Sequence, residues 1–141
     1  MISFMEAQAY IQARQRSALM SRVRRANTAP ELAVRRCAHG LGYRFRLHRK
    51  DLPGTPDIVF PKARKVIFVH GCFWHRHTGC RAASMPKTRS EFWQEKFNTN
   101  IKRDMQKDSE LRNIGWQSLV IWECQTHDPI TLRNILNEFL L

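Results

Sequence analysis

The chain has 141 residues and a formal net charge of +12: one domain's worth of sequence, long enough to bury a core without disulfide staples and basic enough to imply a polyanionic partner. No apolar stretch approaches the roughly 20 residues of a spanning helix, and MISFMEAQAYIQARQRSALM lacks the apolar core and cleavage site of a secretory signal, so a cytoplasmic protein is expected. In a reducing compartment, its four cysteines imply metal or thiol chemistry rather than a disulfide framework.

The charge is concentrated early. Residues 1 to 50 hold eleven Lys and Arg against two acids, Glu6 and Glu31. A basic helical arm is expected over about 1–25, with Arg22, Arg24 and Arg25 facing either solvent or DNA. Thr28 followed by Glu31 is a capping-box pattern that predicts a helix to about Gly42, with Val34, Ala38 and Leu41 inward and Cys37 as ordinary helix packing. YRFRL alternates apolar and basic residues, the period of a half-exposed strand. LPGTPDIVF is a turn feeding a short strand, and KVIFV and SLVIW are buried strands. Between these last two, residues 90–115 predict a helix ended by Gly115, with Trp93, Phe97, Ile101 and Met105 along one face. Asp128 and Pro129 then start a closing helix that turns Leu132, Ile135, Leu136 and Phe139 inward. There is no repeat or long linker, so the element order implies one α/β domain over 1–141, a small mixed sheet flanked by helices.

Two groups of residues carry chemistry. Cys72, Cys80 and Cys124 with one histidine form a Cys3His set of the kind structural Zn2+ prefers, and spacing leaves His75 and His77 both open as the fourth ligand. The loop from Gly71 to about Lys87 has too few regular apolar positions to hold itself, which a metal staple would remedy. The second group centres on Asp57, which follows a proline at a strand start. Such an aspartate is ordinarily a turn or cap residue. Here the neighbouring strand ends at His70, so Asp57, His70 and His75 can converge, and one carboxylate with imidazoles on a basic protein suggests metal-assisted phosphodiester hydrolysis.

TAPELAVRR, LPGTPDIVF, VIFVHGCFWHRH, FWQEK, the pair Arg103–Asp104 and GWQSLVIWEC resemble, in order and spacing, the very short patch repair (Vsr) endonucleases over residues 14–126. The resemblance implies a restriction-endonuclease-like fold that nicks one strand of double-stranded DNA beside a T:G mismatch. By the same resemblance Asp57 and the Val69 carbonyl bind Mg2+, and His75 is the base. Glu31 orients that histidine, and His70, paired with Asp104, lies near the scissile phosphate. His77 then joins Cys72, Cys80 and Cys124 on Zn2+. Phe73 and Trp74 become a wedge inserted at the mismatch, assisted by Trp93, with Lys96 and Asn100 as further DNA contacts. Mismatch-repair proteins and a cytosine-5 DNA methyltransferase are the implied partners. Two departures stand out: Val69 occupies a position where members carry threonine, and the HTGC segment is one residue longer.

Rival readings use the same residues. A zinc-bearing DNA-binding module without catalysis accounts for the charge and the cysteines but has no need of Asp57. A nicking nuclease of this fold could also serve restriction or phage defence. Phe73 and Trp74 have their own alternative, plugging a small core beneath the metal.

Overall fold

A computed structural model describes residues 27–141; the basic arm expected over about 1–25, with Arg22, Arg24 and Arg25, lies outside the described residues. Helix α1 (Ala29–Gly40) starts at Thr28, whose hydroxyl accepts the Glu31 N–H at 3.4 Å. Glu31 does not close the box on Thr28: its carboxylate accepts the Asn27 N–H at 2.9 Å, one residue further back. The helix ends two residues before the expected Gly42, which takes φ +89° while the Tyr43 N–H returns to the Ala38 carbonyl.

Four strands follow in the spatial order β1-β2-β3-β4: β1 (Arg46–Leu47), β2 (Ile58–Phe60), β3 (Lys65–His70) and β4 (Gln117–Trp122). The first three run antiparallel, with Leu47 opposite Ile58 and Ile58 opposite Ile67. β4 joins β3 in parallel, Lys65 opposite Gln117 through His70 opposite Trp122. A parallel neighbour requires a crossover, and α2 (Ser90–Asn113) supplies it. The expected alternation of YRFRL holds for Tyr43 and Phe45, whose rings are edge-on to Phe60 at 6.3 and 6.2 Å, and fails at Leu47, which is exposed with Arg46 in the strand itself. Only its last two residues enter the ladder, because the partner strand is itself three residues long.

Alternation divides the sheet's faces. Ile58, Phe60, Ile67 and Ile121 pack with Val34 and Ala38 of α1 and with Leu132 and Leu136 of α3 (Pro129–Leu140), and half-buried Cys37 lies against the same cluster. Val59 and Val66 face the other way, onto Leu52 and onto Leu111 of α2. This is the mixed sheet between helices that the resemblance implies, and none of the helices among the described residues is long and apolar enough to cross a membrane.

Helix α2 corrects one expectation. Trp93 and Phe97 are buried, but Ile101 and Met105 are 38% and 69% exposed. Steps of four residues advance about 40° each, so three of them rotate the stripe by about 120°, off the inward face. The seam that meets the rest of the protein instead runs Trp93, Phe97, Asn100, Asp104, Lys107, Leu111, in steps of three and four. Its middle is polar because it borders the candidate site. Gly54 helps to hold the Asp57 loop there: it has φ +78°, and a Cβ on it would lie 2.6 Å from the Lys107 side chain.

Candidate active site and metal centre

The end of β3 organises both groups of residues. β2 begins only at Ile58, after Pro56, so the Val69 N–H beyond the ladder is left for a side chain. Asp57 Oδ2 accepts it at 2.7 Å. N–H and C=O of one strand residue point to the same edge, so the Val69 carbonyl lies on the Asp57 side as well. Burial opposes the Asp57 charge most strongly and the Glu31 carboxylate adds to this; against the Val69 hydrogen bond and the His48 and His75 rings, they push the carboxyl up to about 6. A desolvated carboxylate short of positive charge, beside a main-chain carbonyl, suits a hard divalent cation.

His70 ends β3, buried, with its ring stacked on His75 at 3.7 Å between centroids and edge-on to Trp122 at 5.4 Å. Burial first, then His75, push it down to about 4, so it is neutral at physiological pH. Asp104 bonds His75 rather than His70 directly: Oδ2 lies 2.7 Å from His75 Nδ1, whereas Oδ1 is 3.9 Å from His70 Nε2. Burial is the largest influence and disfavours the Asp104 charge, but the His75 hydrogen bond together with the neighbouring His70, His75 and Lys107 side chains outweighs it and holds the carboxyl below its ordinary range. With Nδ1 committed to the carboxylate, Nε2 is the nitrogen left to accept a proton.

Glu31 departs from its expected place beside His75. Its buried Oε2 receives the Asn27 N–H, lies 3.2 Å from Arg35 Nη2 and 3.3 Å from His48 Nε2. The cause is α1's start: a carboxylate folded back toward its own N-cap faces the end of β1, where His48 follows Leu47. His48 had no signal in the sequence beyond its place after an alternating strand.

The metal set comes together as expected, with His77 and not His75. The ligand atoms of Cys72, His77, Cys80 and Cys124 all lie within 4.8 Å of one another. His77 Nδ1 is 3.7 Å from Cys72 Sγ and 3.4 Å from Cys124 Sγ. A tetrahedral ion with metal–sulfur and metal–nitrogen distances of about 2.3 and 2.0 Å separates S and N by about 3.5 Å, which these two edges match. Trp122 stacks on the His77 ring at 4.3 Å and fixes its plane. Arg76, which carries no sequence signal, ties the loop down: its guanidinium donates to the carbonyls of Phe73, Ala83 and Ser84 and lies 4.1 Å over Phe97.

Phe73 and Trp74 are half-buried and form an aromatic cluster with α2. Phe73 meets Trp93, Phe97 and Trp74 edge-on at 5.3–5.8 Å. Trp93 is only 4% exposed, so it supports these rings from beneath, a correction to its expected place at the DNA surface. Asn100 likewise turns inward and donates to the Trp74 carbonyl at 3.2 Å. Lys96 is exposed, 5.2 Å over the Trp74 ring.

A mixed sheet with helices on both faces, and a carboxylate and two imidazoles gathered at the end of its central strands, agree with a restriction-endonuclease-like fold and with metal-assisted hydrolysis. The family model described as DNA mismatch endonuclease Vsr matches residues 9–81. The chain belongs to that family and is a DNA endonuclease. It is 54% identical over 123 residues, 84% of this chain and 90% of the relative, to the type II nicking enzyme V.XorIIP of Xanthomonas oryzae pv. oryzae. Identity to the type II nicking enzyme V.NmeAIP of Neisseria meningitidis is 38%, covering 89% of each chain. To the DNA mismatch endonuclease Vsr of Escherichia coli it is 43%, covering 77% of this chain and 69% of the relative.

Proposed function

We propose that the protein nicks one strand of duplex DNA beside a T:G mismatch in a Mg2+-dependent reaction, with Zn2+ holding the Cys72–Cys124 loop. The observation that carries this reading is the pairing of two fixed groups at one sheet end, Asp57 held by the Val69 N–H and His75 held by Asp104. Mg2+ bound by Asp57 and the Val69 carbonyl would draw charge from the phosphate. His75 Nε2 takes the proton of the attacking water as the water oxygen bonds to phosphorus and one backbone P–O bond breaks, its electron pair leaving on the sugar oxygen, which takes a proton from solvent. Asp104 stabilises the imidazolium that results. Neutral His70, stacked on His75, fixes the plane of the base.

The names of the relatives support nicking and mismatch recognition as activities of those proteins. Trp74, carried on a loop tied to the metal set and backed by Trp93, is the wedge, with Phe73 as its buttress. Unstacking costs a few kcal/mol per step and a wobble pair resists less, so a wedge converts deformability into specificity. Lys96 beside Trp74 supplies a phosphate contact at the same place.

Zinc-loaded protein incubated with Mg2+ and two duplexes, one with T:G and one fully matched, tests this function. Nicking of the mismatched duplex alone is expected. Equal cleavage of both would assign the protein to restriction or defence, and binding without cleavage would reduce it to a DNA-binding module.

A further inference from the structure

The catalytic pair borders a cavity of about 240 Å³ between the sheet and α2, to which the reaction above gives no role. His70, Asp104, Lys107, Asp108 and Ser118 are among the residues that line it. Asp108 is engaged on both sides: Oδ1 accepts the Ser118 hydroxyl and Oδ2 lies 3.0 Å from Arg112 Nη2. Asp104 is engaged on one side only. Its Oδ2 is 2.7 Å from His75 Nδ1, whereas Oδ1 stands 3.9 Å from His70 Nε2, beyond hydrogen-bond length. The ion pairs of both carboxylates go to other partners, and among the described residues Lys107 has none.

The lysine is held in place by its stem. It follows Asp104 by three residues, which puts the two on one face of α2, and helical side chains lean toward the N-terminus, which carries the ammonium back toward Asp104. The stem runs over Gly54: a Cβ on that glycine would lie 2.6 Å from Lys107 Cδ and 2.8 Å from Cγ, so a residue without a side chain is what lets the lysine lie there.

A carboxylate that orients a base must be ionised when the base takes its proton. Before that step His75 is uncharged, and it offers Asp104 a hydrogen bond but no counter-charge. Burial is the largest influence on Asp104 and works against its charge; the His75 hydrogen bond, the His70 and His75 rings and the Lys107 ammonium work for it. Of these, Lys107 is the one that carries a standing positive charge, and no other Lys or Arg lines the cavity.

We propose that Lys107 is a positioning residue of the reaction: across the cavity its ammonium holds Asp104 as the anion that fixes His75, without touching the DNA. The inference rests on the reading of His75 as the base and Asp104 as its partner.

Two substitutions isolate the charge. Lys107→Gln keeps the Cβ, Cγ and Cδ that lie against Gly54 and removes the ammonium, and Lys107→Arg keeps both. With zinc-loaded protein, Mg2+ and a T:G duplex, Lys107→Gln is expected to lower kcat about tenfold with KM changed less than about twofold, and Lys107→Arg to restore it. In an Asp104→Asn background, Lys107→Gln should cost nothing further, because no anion is left to hold. An additive loss in that double variant would overturn the proposal. So would a loss that appears in KM with a shallower salt dependence of DNA binding, which would put the ammonium on a phosphate. Carbon-13 NMR of the Asp104 carboxyl in the DNA-free protein gives a readout independent of turnover: its titration midpoint should rise in Lys107→Gln and return in Lys107→Arg. A midpoint that does not move, beside an impaired Asp104→Asn, removes the role of Lys107 alone. Wild-type kcat in Asp104→Asn removes the reading of the base pair, and the proposal with it.

Discussion

Asp57→Asn should make the protein more stable while abolishing its reaction. Asparagine retains an oxygen to accept the Val69 N–H, now 2.7 Å from Asp57 Oδ2, and removes a charge that the fold disfavours. The carboxyl is displaced from an ordinary value of 3.8 to about 6, its side chain being 19% exposed. At about 1.4 kcal/mol per tenfold change in proton affinity, this bounds the gain at about 3 kcal/mol. The sign follows from the direction: a carboxyl raised in the folded state destabilises wherever it must be ionised, fully above about pH 6, and the effect fades as pH falls from there toward 3.8. Urea unfolding of zinc-loaded protein without Mg2+ should therefore show the variant ahead by about 2–3 kcal/mol at pH 8 and by about half of that at pH 5. Added Mg2+ should close the gap at pH 8 by binding the wild type alone. A variant that is less stable at pH 8, or a gap identical at pH 8 and pH 5, would refute the account of a desolvated, uncompensated carboxylate.

The other expectations concern the groups around that carboxylate. Cys124→Ser should lose its metal by elemental analysis and unfold at a markedly lower temperature, because one missing thiolate opens the tetrahedron whose Cys124–His77 edge is 3.4 Å; full zinc content would contradict it. Asp104→Asn should lower kcat by about 10²–10⁴ with DNA affinity unchanged, since an amide facing His75 Nδ1 no longer fixes the tautomer that leaves Nε2 basic. A proportionate loss of DNA binding would point instead to a contact with the substrate. Trp74→Ala should cut the preference for T:G over matched duplex by about tenfold, equivalent to about 1.4 kcal/mol of stacking, while metal content stays intact. Phe73→Ala should behave differently, losing about 2–3 kcal/mol of stability in a denaturation titration because its ring abuts buried Phe97; equal stability losses in the two variants would remove the division into wedge and buttress.

What the sequence determined by itself was whatever local pattern or short-range motif encodes. Thr28 and Asp128 mark the starts of α1 and α3, the β-branched runs around Ile58, Val66 and Val120 mark the strands, and the crowding of Cys72, His77 and Cys80 marks a metal loop. Cys124 came within reach of that reading because it directly follows a recognisable strand. The tertiary structure decided the partnerships. Asp104 belongs to His75 because α2 crosses the end of β3 with its polar seam inward, and period-four counting along the helix concealed that seam by drifting off the face. Glu31 belongs to His48 because a cap that folds back one residue further than a capping box aims the carboxylate at β1. Trp93 and Asn100 turn inward for the same reason that Ile101 and Met105 turn outward: the rotation of one long helix against a sheet is set by packing, and composition carries no record of it.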